Sequence, residues 1–175
     1  MTSRLDHLNE LPAEAAIQQL MTCLRSRVWA ADVLSRRPYR SLADVEDQAM
    51  AAARGLPEGE VAAALAAHPR IGERPEGTDA EAGFSRAEQA GVGSEAATTA
   101  ALREVNEAYE ARFGHVFLVR AAGRDAAGIL AAARERLTHD PATEGRVVRE
   151  QLGEIAVLRL RTLLDGPGGH PDQQT

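Results

Sequence analysis

The sequence predicts an all-α, single-domain multi-helix bundle, and three observations carry that prediction. Apolar residues make up 44% of the 175-residue chain, and much of that share is alanine, which enters a helix at the least conformational cost. Aromatic residues are 3% of the chain, and the β-branched and aromatic runs that a sheet needs are nearly absent. Aliphatic residues recur three and four positions apart along most of the length, the spacing of one helical face. The length suits one domain with a core of its own.

Taken in order, Leu11-Pro12 opens the first helix, with proline in the first turn, where its missing N–H is not needed. Ile17, Leu20, Met21 and Leu24 follow at helical spacing. A short helix runs from Ser26 through Trp29 and Val33 and stops before Pro38. Ser41 with Asp44 starts the next, which reaches Arg54 before Gly55. Pro57 begins another, with Val61, Ala64 and Leu65 inward; it ends at His68, because Pro69 disfavours helical geometry in the residue before it. A stretch rich in Gly, Pro, Glu and Asp runs to Gly83, and Ser85 to Ala90 reads as a helical turn. Ser94 to Phe113 is a long helix with Leu102, Val105, Tyr109 and Phe113 as its stripe. Val116-Phe117-Leu118-Val119 is strand-like but too short for a sheet. Asp125 to Leu137 and Pro141 to Leu164 complete the helices. Residues 1–164 thus form one helical domain, and residues 165–175, polar and rich in Gly and Pro, a flexible tail.

The net charge of −6 argues against general nucleic-acid binding, which needs a basic footprint. It leaves room for a small anionic substrate, since one or two placed arginines reverse the local field. Cys23 stands alone and cannot form an internal disulfide, which suits a reducing cytoplasm; between Leu20 and Leu24 it reads as a buried small hydrophobe. No apolar run approaches a membrane span, and neither a signal-peptide core at the start nor a peroxisomal address at the end is visible. The expected setting is cytoplasmic, away from membranes.

Four places resist a purely structural reading. His68 stands at a helix end before Pro69-Arg70-Ile71-Gly72, a stiff loop that presents an imidazole and a guanidinium side by side. Ser85-Arg86-Ala87-Glu88-Gln89 fits a capping box, yet a helix start also offers free N–H donors to an anion, and Gln89 adds an amide suited to a urea-like edge. Arg159 lies seven residues after Leu152, on the apolar face with Ile155, Ala156, Leu160 and Leu163, whereas Arg161 projects to the opposite side. An inward guanidinium needs an anion or several carbonyls, supplied either by a buried carboxylate or by a substrate. Finally, the apolar extended run after Gly114 leaves backbone groups for other backbone, water or a ligand.

These pieces together resemble the 2-oxo-4-hydroxy-4-carboxy-5-ureidoimidazoline (OHCU) decarboxylases of urate breakdown. The resemblance takes in Leu8-Asn9, Cys23, Trp29, Arg37-Pro38-Tyr39, the His68–Gly72 and Ser85–Gln89 segments, Asn106 to Tyr109, Arg112-Phe113-Gly114, and Ile155-Ala156 to Leu158-Arg159-Leu160. It implies an all-helical enzyme that needs no metal or organic cofactor and forms a homodimer. By resemblance, His68 is the catalytic acid/base, Glu88 is essential beside it, and Pro69 borders the substrate. Ser85, Arg86, Ala87, Glu88 and Gln89 then hold the substrate, the backbone around Phe117, Leu118, Val119, Arg120 and Ala121 bonds its ring, and Arg159 contacts it. The chain departs from the family's frequent Phe-Pro pair at His115-Val116, and Arg120 places a charge in an otherwise apolar segment.

The implied chemistry suits these residues. The substrate bears a carboxylate and a hydroxyl on one ring carbon beside an imine carbon, so loss of carbon dioxide pushes electrons into its own imine. A histidine near neutrality suits delivery of the proton that completes (S)-allantoin. Two other readings stand beside this one. A metal-dependent hydrolase of a cyclic ureide would use His68, His115 and Glu88, although no helical His pair at metal-ligand spacing is present. A non-enzymatic helical interaction module would leave the inward Arg159 unexplained.

Overall fold

Ser3 starts the first helix by accepting from the Asp6 N–H at 3.0 Å while Asp6 accepts from the Ser3 N–H at 3.1 Å, a reciprocal cap that closes α1 (Arg4–Glu10). Sequence periodicity places the first helix only at Pro12. Seven residues carry too little pattern to show α1, and what fixes it is the cap, the burial of Leu8, and a bond from Arg4 to the Leu163 carbonyl at 2.9 Å. The computed structural model describes residues 3–72, 84 and 96–165. The Ser85–Gln89 motif, the Gly/Pro-rich stretch from 73 to 83, and the expected tail from 166 onward lie outside the described residues.

The remaining helices are α2 (Ala13–Leu20), α3 (Arg27–Ser35), α4 (Leu42–Arg54), α5 (Glu58–Ala66), α6 (Ala96–Phe113), α7 (Ala126–Arg136) and α8 (Pro141–Asp165). Their starts follow side chains that the sequence displays: Ser26 caps the Trp29 N–H, Ser41 and Asp44 form the second reciprocal cap, and Asp125 caps Gly128. Asp165, assigned by sequence to the tail, is the last residue of α8. Among the described residues there are eight helices and no strand, as the all-α expectation requires.

Two cores result. The larger gathers Leu8, Leu20, Trp29, Val45, Leu65, Leu152, Ile155 and Leu160 with their neighbours from α1 to α5 and α8. The smaller gathers Ile71, Leu102, Val105, Tyr109, Phe117, Val119, Ala121 and Ile129 around α6 and α7. The extended run after Gly114 lies along their seam. Leu118 and Val116 pack into the larger core, and Phe117, Val119 and Ala121 pack into the smaller. Alternating side chains of an extended backbone point to opposite faces. A run buried on both faces therefore reads as continuously apolar without belonging to a sheet.

Helix α8 packs chiefly on α4. The approach is close at Gly153, where a Cβ would come 2.8 Å from the Met50 sulfur and 3.2 Å from the Ala53 Cβ. Gly153→Ala should be tolerated, because Met50 can swing aside and alanine favours the helix. Gly153→Val should cost about 1–3 kcal/mol of stability by overpacking. Denaturant unfolding of both variants checks this, and a valine variant as stable as the parent would contradict it.

Candidate active site

Helix α5 ends where Pro69 forbids another turn, with the His68 N–H bonded to the Leu65 carbonyl at 3.0 Å. The His68 ring folds back against the same helix, its Nδ1 lying 2.7 Å from the Ala64 carbonyl. A carbonyl only accepts, so Nδ1 carries the proton, and in the neutral ring Nε2 holds the lone pair. The side chain is 8% exposed, and Nε2 is buried with no hydrogen-bond partner. Burial pushes the imidazole pKa down to about 4, with the nearby Arg159 guanidinium adding to the shift. The sequence suggests a histidine near neutrality. The structure instead gives one that is uncharged throughout the neutral range, a base and acceptor at rest.

Arg159 is completely buried, as its helical register requires, and Arg161 projects outward into a bidentate pair with Glu46 at 2.6 Å. The Arg159 guanidinium donates to the Cys23 carbonyl at 3.3 Å and lies over the Phe84 ring, 5.8 Å from its centroid. Cys23 itself is a buried free thiol whose pKa burial pushes up to about 12, which makes it inert packing. Pro69 is half-buried next to His68. Arg70 does not stand beside the imidazole as the sequence suggests; it reaches α6 and pairs with Glu110 at 2.6 and 2.7 Å.

The Phe117–Ala121 segment is fixed from behind through its backbone. Gln151 of α8 accepts from the Arg120 N–H at 2.8 Å, and Arg136 of α7 donates to the Leu118 carbonyl at 2.6 Å. The Arg120 side chain turns to Glu154 at 3.2 Å, which removes the apparent oddity of a charge in an apolar run. Phe117, Leu118, Val119 and Ala121 are buried.

Sequence reasoning missed the polar cluster that supports this segment. Glu144, 1% exposed, accepts from Arg136 at 2.5 Å and from the Tyr109 hydroxyl, and its other oxygen meets His139 Nδ1 at 2.9 Å. Burial alone would raise the Glu144 pKa, but the bonds from Arg136, Tyr109 and His139 outweigh it and hold the carboxyl below its usual range. The signal was in the register of α8: Glu144, Gln151 and Arg159 are seven and eight residues apart, on or beside the apolar stripe. An acidic residue in a first helical turn looks sufficiently explained by the helix dipole, which hid Glu144.

The structure therefore brings His68 and Arg159 together and secures the Phe117–Ala121 segment beside α8. Ser85, Arg86, Ala87, Glu88 and Gln89 lie outside the described residues. His115, the other imidazole weighed for a metal, directs Nδ1 to the Val116 carbonyl at 3.0 Å and stacks on Phe113. Among the described residues no three His, Cys, Asp or Glu side chains gather as a metal site.

The family model described as OHCU decarboxylase matches residues 9–161. The chain belongs to the OHCU decarboxylase family. Among its relatives, the 2-oxo-4-hydroxy-4-carboxy-5-ureidoimidazoline decarboxylase of Haloferax volcanii is 29% identical over 160 residues, covering 89% of this chain and 93% of that one. The protein of the same name from Amia calva is 30% identical over 149 residues, covering 83% and 85%. The fold also matches a crystal structure of an OHCU decarboxylase in the presence of (S)-allantoin, with a TM-score of 0.70 and 23% identity over 85% of this chain and 98% of that one. As in the fold expected of an OHCU decarboxylase, the chain is all-helical among the described residues, and none of those helices is long and apolar enough to cross a membrane.

The depressed pKa of His68 has a consequence for stability. Between about pH 6.5 and pH 4 the unfolded chain binds a proton that the folded protein refuses, so stability is full above that window and falls as pH falls through it. His68→Asn should flatten the dependence by up to about 1.4 kcal/mol per pH unit. Denaturant unfolding of parent and variant at pH 7, 6 and 5 measures the difference, and parallel curves would contradict it.

Proposed function

We propose that this protein decarboxylates OHCU to (S)-allantoin in urate breakdown, with no cofactor as electron sink. Its family and the shared name of its relatives support the reaction class. The observation that carries the assignment of roles is the neutral, buried His68 whose Nε2 has no hydrogen-bond partner, beside the buried Arg159.

Arg159 attracts and orients the anionic substrate in a site where burial strengthens electrostatics. When the C–C bond to the carboxylate breaks, carbon dioxide leaves and the bonding pair moves into the adjacent imine, whose nitrogen takes a proton. The ring is then an enol. His68 Nε2 takes the hydroxyl proton as the carbonyl forms, and the imidazolium returns it to one face of the neighbouring carbon, which completes the (S) product. One proton is consumed overall, matching the charge lost with the carboxylate. The bound carboxylate opposes the effect of Arg159 and makes His68 more basic when the substrate is present. By family resemblance, Glu88 orients His68 or handles a proton, Pro69, Ser85, Arg86, Ala87 and Gln89 hold the substrate, and the Phe117–Ala121 backbone reads its ring. The same reading places the protein in the cytoplasm, where the lone Cys23 stays reduced, as a homodimer.

His68→Asn should fold normally and lose about 10²–10⁴ of the rate of (S)-allantoin formation. Glu88→Gln should fold normally, still bind allantoin, and lose activity on a similar scale. Arg159→Lys should rescue poorly, since a point charge does not replace a planar fork. Steady-state assays on freshly generated OHCU beside melting curves decide the matter, and near-normal turnover by His68→Asn would overturn the assignment.

A further inference from the structure

The loop that follows His68 is gripped by three successive turns of α6. Glu110 takes the Arg70 guanidinium through bonds of 2.6 and 2.7 Å. Asn106 donates from Nδ2 to the Ile71 carbonyl at 3.0 Å. Leu102 lies against Gly72, where a Cβ would come 3.0 Å from its Cδ1 and where φ is +83°, a conformation that favours glycine. Residues 102, 106 and 110 are four apart and form one stripe on the helix. Consecutive loop residues thus meet consecutive helical turns, in reverse order.

The middle contact is the informative one. Asn106 is 3% exposed, and its Oδ1 is buried with no hydrogen-bond partner. A leucine would fill nearly the same volume without stranding an acceptor, so packing alone does not explain an amide at this point. What the amide supplies is a directional hold on the Ile71 carbonyl, three residues beyond His68 and across the rigid Pro69. The imidazole is then fixed from two sides, by Ala64 on α5 and by α6 through the loop.

We propose that Asn106 is a positioning residue for the reaction, holding the His68–Gly72 loop so that Nε2 meets the substrate proton in line. The proposal rests on the reading of His68 as the base. Asn106 touches neither substrate nor imidazole in this account; it acts through the Ile71 carbonyl. Proton transfer is sensitive to sub-ångström misplacement, whereas Arg159, the proposed anchor of the anion, stands on α8 outside this loop.

Asn106→Leu should lower kcat about tenfold to a hundredfold by misplacing the base. KM and the dissociation constant of allantoin should change less than kcat does, by under about threefold, because the proposed anionic anchor Arg159 is held by α8 while Pro69 offers the substrate only an apolar border. The melting temperature should stay within about 3 °C of the parent's, since the variant removes a stranded acceptor along with the tether. A kcat within about twofold of the parent's would overturn the proposal, as would a folded variant whose allantoin binding weakens as much as its kcat falls, the mark of a merely structural residue. If Asn106→Leu does not fold, Glu110→Ala decides: it loosens the adjacent, partly exposed grip and should lower kcat by about two- to fivefold, and an unchanged kcat would sink the idea. His68→Asn, assayed alongside, separates the two claims. Normal turnover there defeats the base reading, whereas an inactive His68→Asn beside a fully active Asn106→Leu defeats only the positioning role.

Discussion

A guanidinium with no exposure, set in the apolar face of the longest helix, is the constraint on which the rest of this structure depends. A buried charge needs neighbours that stabilise it, and the fold supplies an acceptor in the Cys23 carbonyl after α2 and an aromatic face in the Phe84 ring before α6. The same charge, with burial, keeps His68 in its neutral form. Arg159 thus adds to the burial that keeps His68 uncharged, and in the proposed reaction it also draws the anionic substrate. Its site on a long helix matters, because a helix fixes the guanidinium relative to everything else along its length.

Helix α8 extends that logic. Two turns before Arg159 it offers Gln151 to the Arg120 amide, and two turns earlier again it offers Glu144 to Tyr109, Arg136 and His139. Arg136 in turn holds the Leu118 carbonyl. One rigid element therefore positions both the Arg159 guanidinium and the Phe117–Ala121 backbone, the groups proposed to meet the substrate. Small residues where α8 crosses α4, Gly153 against Ala53, let the helix sit close to the larger core. The seam between the two cores is where the extended backbone runs, and it stays extended because each face has a core to enter.

How far the sequence foretold this depends on what each feature rests on. Helices with a periodic apolar stripe were visible, and so was the inward register of Arg159, because both are local patterns. Helix α1 was not, since a seven-residue helix held by its cap and by contact with the end of α8 leaves almost no periodic trace. His68 was found by its place before Pro69, but its ionisation was misjudged: the shift comes from burial and from Arg159, which no local pattern encodes. The sequence sets the Arg70 guanidinium side by side with the imidazole in one loop, whereas its acceptor, Glu110, lies on a helix far along the chain. Glu144 was hidden by an adequate simpler explanation.

At rest His68 is neutral, with its proton on Nδ1 and its buried Nε2 left without a hydrogen-bond partner. Nitrogen-15 NMR of the imidazole in the ligand-free protein, followed through a pH titration, reports both the tautomer and the pKa. The account predicts the Nδ1–H tautomer across the neutral range and protonation only at about pH 4. A proton on Nε2, or a titration near the unperturbed value of about 6.5, would contradict it.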